Sequence, residues 1–276
     1  MPLPFALNHI VAPRRDVGAF FALARELGIA EVEIRNDLPG VALQDGTPAN
    51  AVRDAAQAAG IVILSVNALQ RFNEWNPTRK AEAEALAAYA AACGARALVM
   101  CPVNATADAR GEQQRLDDLR EALAALRPIL TAHGLTGLVE PLGFAESSLR
   151  RKRVAVDAID AVGGGEVFRV LHDTFHHFLS GETQIFPART GLVHISGVEN
   201  RALPHDRIRD PNRVLVGLAD VMGNVGQIAA LLRGGYAGPF SFEPFSKAVH
   251  DLPDIAAALR DSMASIEPSV AAPASL

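Results

Sequence analysis

The sequence predicts an α/β fold in a single domain, a (β/α)8 TIM barrel, and three observations carry that expectation. The chain has 276 residues, which a closed barrel of roughly 250 residues would nearly use up. Eight short apolar runs recur along it, separated by stretches with helical spacing. No break in composition and no linker-like segment divides it. Such alternation implies a parallel sheet with crossover helices, and an unbroken series favours closure over an open doubly wound sheet. The first run is not followed by a GxGxxG turn, which argues against the dinucleotide-binding form of the open sheet.

"FALNHIV" opens the series, and the amphipathic "DVGAFFALARELG" follows it. The next strand and helix pairs are "EVEIR" with "ANAVRDAAQAAG", "VILSVNAL" with "TRKAEAEALAAYAAACG", and "ALVMCPV" with "RLDDLREALAALRPILTAHG". "TGLVE", "VFRVLHD" and "GLVHISG" are strands five to seven; "NVGQIAALLRGG" precedes the eighth, "FSFEP". Several helical stretches close on Gly, as helix C-termini often do. The connection from Gly197 to about Gly223 is unlike the others: it carries Arg201, Arg207, Arg209 and Arg213 among few periodic apolar positions. Connections beyond ~12 to 15 residues are usually functional or disordered. It reads either as a solvated excursion or as a lid that brings arginines over a polar substrate. The barrel is expected over residues 1–266, with 267–276 as a disordered tail.

Apolar residues make up 49% of the chain and aromatic ones only 5%, so the core must lean on Ala, Leu, Val and Ile. Net charge is −5, and Lys and Arg are scattered, which leaves no footprint for a nucleic-acid backbone. "MPLPFALNHIV" lacks the features of a signal peptide, and Arg96 interrupts the alanine-rich stretch before it reaches spanning length. A soluble, cytoplasmic protein with no membrane partner is expected; a homo-oligomer is compatible with the sequence. Cys93 and Cys101 are too few for a disulfide framework and read as packing residues.

In a barrel of this type the active site lies at the carboxyl ends of the strands. Strand five ends in Glu140, strand six in Asp173, strand seven offers His194 and strand eight Glu243. Each alone has a plainer reading, as a helix cap, a salt-bridge partner or a core histidine. Four adjacent strands placing such groups at one level point instead to a site for one divalent cation, Mn, Zn, Co or Mg. In "LHDTFHH", Asp173 is the ligand. His176 lies one helical turn further on and faces the pocket. His172 points the opposite way by strand alternation, and His177 packs or is solvated.

The sequence resembles the xylose-isomerase-like barrels, most closely the 2-keto-myo-inositol (inosose) isomerases. The resemblance rests on "VEIRNDLP", "LSVNALQRFNEWN", "VEPLG", "LHDTFHHF", "VHISGVEN" and "FSFEPF". It implies that Glu140, Asp173, His194 and Glu243 bind the metal, that His176 faces the substrate, and that Asn67 and Arg213 bind it too. It also implies a role in carbohydrate metabolism, in particular inositol catabolism. Where the family often has Trp-Pro-Gly-x-Gly, this chain has "VLVGLADVMG", so the rim of its pocket differs.

A single cation ringed by carboxylates holds a hydroxy-ketone and acidifies its C–H bond. Glu140 and Glu243 are then the catalytic pair, one removing and one returning the proton through a metal-stabilised enediolate. The function expected is a metal-dependent isomerase or epimerase of a small-molecule keto-sugar or keto-cyclitol. A metal-dependent keto-cyclitol dehydratase and a non-catalytic sugar-binding barrel are the alternatives. An endonuclease of the same superfamily needs more His and Asp ligands on the early strands, which offer only His9 as an imidazole, and a basic face.

Overall fold

The computed structural model describes residues 3–40 and 42–271. Its eight strands are β1 (Phe5–Asn8), β2 (Glu31–Arg35), β3 (Val62–Leu69), β4 (Ala97–Met100), β5 (Thr136–Val139), β6 (Phe168–Asp173), β7 (Thr190–Ile195) and β8 (Phe240–Phe242). They close in chain order into one parallel barrel, as expected from the sequence, with β8 returning to β1. The helices are α1 (Val17–Glu26), α2 (Ala42–Asp45), α3 (Ala49–Ala59), α4 (Pro77–Cys93), α5 (Glu112–Ala132), α6 (Lys152–Ala161), α7 (Thr174–Ser180), α8 (Asn224–Arg233), α9 (Lys247–His250) and α10 (Ile255–Ala271). Residues 267–271 therefore continue α10, and 272–276, the rest of the expected tail, lie outside the described residues.

Local chemistry sets the helix ends. Asp16 caps α1 by accepting from the Ala19 amide at 2.7 Å. At α4, Asn76 accepts from the Arg79 amide, Pro77 takes the first turn, and Gly94 leaves the helix at φ 81°. No helix among the described residues is long and apolar enough to cross a membrane.

Alternation along the strands divides each of them between two environments. The outward side chains, among them Val32, Leu98, Phe168, Val193 and Phe242, join Phe20, Leu126 and Leu259 of the helices in the main core. The inward ones begin with a separate apolar layer that includes Ala6, Val99, Leu138, Leu171 and Leu192. Two residues further along the same strands the inward side chains become Asn8, Cys101, Glu140, Asp173 and His194. A packed apolar layer thus floors a buried polar one, and removing a methylene-rich floor residue such as Leu171 by mutation to Ala would cost roughly 2–5 kcal/mol.

Candidate metal centre

Glu140 directly follows β5, Asp173 ends β6, His194 lies on β7 and Glu243 directly follows β8. One ligand atom from each lies within 4.8 Å of the others, and all four side chains are buried. The strand register contributes to this, since Asp173 and His194 are paired across β6 and β7. Asp173 does two things at once. Its Oδ1 caps α7 by accepting from the amides of Phe175 (2.7 Å) and His176 (3.2 Å), while Oδ2 faces the cluster. The cap reading of this residue is therefore met by one oxygen, and the other is left to the cluster.

His194 Nδ1 lies 3.1 Å from Glu243 Oε2, 3.3 Å from Glu140 Oε1 and 3.9 Å from Asp173 Oδ2. It is buried and makes no hydrogen bond among the described residues. An imidazole nitrogen aimed at three carboxylate oxygens is a donor set that fits a divalent cation of the borderline type. Burial opposes charging this ring, but the Glu243 and Glu33 carboxylates outweigh it and hold its pKa well above the usual range. Burial likewise works against ionised Glu243, and here His194 and Arg213 prevail, keeping the carboxyl far below its ordinary value.

The residues expected to meet a substrate stand around these four side chains. A cavity of about 440 Å³ opens at the strand ends, lined by Glu140, Glu243, Asn67, His176, Arg213 and Phe245 among others. His176 is buried, its ring edge-on to Phe144 and Phe175, and its Nδ1 has no hydrogen-bond partner among the described residues. Gly143, in the loop after β5, packs on α7 so closely that a Cβ would run into the His176 carbonyl oxygen. Asn67 Nδ2, Arg35 Nη1 and Asn8 Nδ2 all donate to Glu243 Oε1, at 3.3, 3.3 and 3.1 Å.

Arg213 is held on every side. Its Nη2 donates to Asp173 Oδ2 at 2.7 Å and Glu243 Oε2 at 2.8 Å, its Nε to Ser196 at 3.0 Å, and its Nη1 to Asp210 at 3.3 Å. The guanidinium lies between the rings of Phe175 and Phe245, 4.8 and 4.7 Å from their centroids. Of the four arginines in the long connection, Arg213 alone lines the cavity. Arg201 and Arg207 are exposed, and Arg209 lies over Phe144. The connection is nonetheless anchored: Val198, Ile208 and Met222 pack with Phe144, Phe175 and Leu179 in an apolar cluster beside the site.

The other histidines of "LHDTFHH" turn away, His172 by strand alternation and His177 by its place on α7. His172 Nε2 pairs with Gln227 of α8 at 2.9 Å, and His177 Nδ1 accepts from Lys152 at 2.7 Å. His9 stacks on Phe20 and bonds the Arg15 carbonyl through Nε2. Arg35 and Asn8, which bond Glu243, went unnoticed in the sequence, as did the parts played by Cys101 and Glu33. Cys101 does not only pack: its thiol donates to Glu140 Oε2 at 3.3 Å and lines the cavity. Glu33 sits beneath His194, fully buried. The signal for it was a charged residue at an inward position of a strand whose Val32 and Ile34 face the core.

Residues 21–268 match the model of the xylose isomerase-like TIM barrel family. No curated protein matches the sequence. Among solved structures, a xylose isomerase domain containing protein from Salmonella typhimurium is 35% identical, with a TM-score of 0.84 over 97% of this chain and 96% of that one. The IolI protein, solved with a bound zinc atom, gives the same TM-score at 18% identity, covering 97% and 98% of the two chains. D-psicose 3-epimerase from Clostridium cellulolyticum, solved with D-tagatose, matches with a TM-score of 0.70 at 17% identity over 96% and 100%.

Proposed function

The chain belongs to the xylose isomerase-like TIM barrel family, and on that premise we propose that it is a metal-dependent isomerase or epimerase of a keto-sugar or keto-cyclitol of the inosose type. The observation that carries this reading is the buried cluster of Glu140, Asp173, His194 and Glu243, whose two glutamates also line a cavity. These four residues would hold one cation, Zn, Mn, Co or Mg. Bound there, it supplies Lewis-acid polarisation of a carbonyl and acidifies the adjacent C–H bond.

The remaining chemistry falls to the chain itself. Glu140 and Glu243 flank the cavity as a proton-transfer pair, one taking the α-proton and the other delivering it to the neighbouring carbon. Their surroundings differ. Glu243 carries donors from Asn8, Arg35, Asn67 and Arg213, whereas Glu140 Oε2 meets the Cys101 thiol. Donors to the ionised form lower the basicity of Glu243, so the abstraction is assigned to Glu140 and the return of the proton to Glu243. His176 and Asn67 orient substrate hydroxyls, and the connection carrying Arg213 excludes water. No lysine stands at a strand end among the described residues, which favours proton transfer over a hydride shift.

A dehydratase of the same substrates would share the first abstraction and then expel a β-hydroxyl. Product analysis separates the two. Metal-reconstituted protein incubated with a panel of keto-cyclitols and ketoses should yield an isomer or epimer of equal mass, with activity abolished by a chelator. A product lighter by one water makes the protein a lyase, and full turnover in metal-free protein overturns the reading.

A further inference from the structure

The structure assigns to Glu33 a role nothing above requires: we infer that it is the positioning residue that sets the tautomer and orientation of His194 toward the cation. The inference rests on the proposed metal centre. His194 Nε2 lies 2.9 and 3.1 Å from the two oxygens of Glu33. With a cation bound, that contact would commit the ring proton to Nε2 and leave the Nδ1 lone pair for the cation, on the side that faces Glu140, Asp173 and Glu243.

Glu33 is itself held firmly. Its side chain is fully buried, on β2, reaching into the barrel interior. Ser65 of β3 donates to Oε2 at 2.7 Å, Ser241 of β8 donates to Oε1 at 2.6 Å, and Asn8 of β1 approaches Oε1 at 3.5 Å. A buried carboxylate is tolerated only when its lone pairs are satisfied, and here three further strands contribute to doing so. The acceptor under His194 is therefore fixed in space by the barrel itself. A carboxylate in this place also makes the imidazole a better electron donor than a backbone carbonyl would.

A carboxylate that served only to pair buried polar groups would have the same contacts, so the test must separate metal positioning from packing. Metal-stripped full-length protein is titrated with Co²⁺, read by its visible absorption, and with Zn²⁺ in competition. Glu33→Gln should weaken both by ~10- to 100-fold, the usual cost of losing such a partner, and should alter the Co²⁺ spectrum while circular dichroism stays that of the wild type. In a His194→Ala background the same substitution should add no further loss, because the effect passes through that ring. Wild-type affinity in Glu33→Gln, or an equal loss with and without His194, overturns the inference. Should Glu33→Gln fail to fold, the Ser65→Ala/Ser241→Ala variant carries the test: a smaller weakening is expected, and unchanged affinity refutes it. Wild-type affinity in both His194→Ala and Asp173→Asn would instead remove the metal centre itself.

Discussion

Arg213 Nη2 donates to Asp173 Oδ2 at 2.7 Å, so the β7–α8 connection and the end of β6 share a buried ion pair. Removing one partner of such a pair leaves an uncompensated charge and costs about 3–5 kcal/mol. Arg213→Ala should therefore lower the melting temperature and, because the side chain also lines the cavity, reduce kcat/KM. Arg213→Lys keeps the charge but not the forked geometry and should fall between. Wild-type melting and kinetics in Arg213→Ala would make the connection a plain surface excursion. The contacts also add to the sequence-based picture of this arginine, which reaches Asp173 and Glu243 as well as the cavity.

Asp173→Asn and His194→Ala should each bind less metal than wild type after reconstitution and dialysis, measured as moles per mole of protein. Asp173→Asn retains an oxygen for the α7 cap, so its helix should persist while the charge facing the cluster is lost. Undiminished metal content in both would refute their assignment as ligands.

His176→Ala should leave metal content unchanged and impair turnover through KM, kcat or both, since its unpartnered Nδ1 belongs to a cavity-lining ring rather than to the cluster. Loss of metal in this variant would make His176 a ligand.

His177 provides a pH-dependent test of stability. Burial first, then the charge of Lys152, pushes its pKa down to about 4, with Glu182 acting in the opposite sense and the His172 ring packed alongside. An unfolded histidine titrates near 6.5. Between about pH 6.5 and 4 the unfolded chain gains a proton here that the folded protein does not, so stability falls as pH drops through that window. His177→Gln keeps an acceptor for Lys152 and abolishes this titration. Its melting temperature should decline less than that of the wild type between pH 7 and 4.5, and parallel declines would contradict the assignment.

The barrel was legible because apolar runs and helical spacing alternate without interruption, and because period-two alternation puts Glu140, Asp173, His194 and Glu243 on one side of the sheet. The same alternation identified His172 as a bystander. Other contributions depend on three-dimensional proximity that no spacing encodes. Cys101 looks like any buried thiol until the β4–β5 pairing brings it against Glu140, and Glu33 meets His194 only because the closed barrel sets β2 across from β7. Arg213 was singled out by its place in a long connection, but its fork onto two carboxylates required knowing how that connection folds back.

Proton transfer between Glu140 and Glu243 is the central claim, and turnover in D₂O tests it most directly. Product isolated at early conversion should carry deuterium on the carbon that receives the proton. Glu140→Gln and Glu243→Gln should each slow exchange and conversion by ~10²-fold or more, with metal occupancy measured in parallel because both residues are also ligands. Product formed with no solvent deuterium, with hydrogen retained from the substrate, would contradict the account.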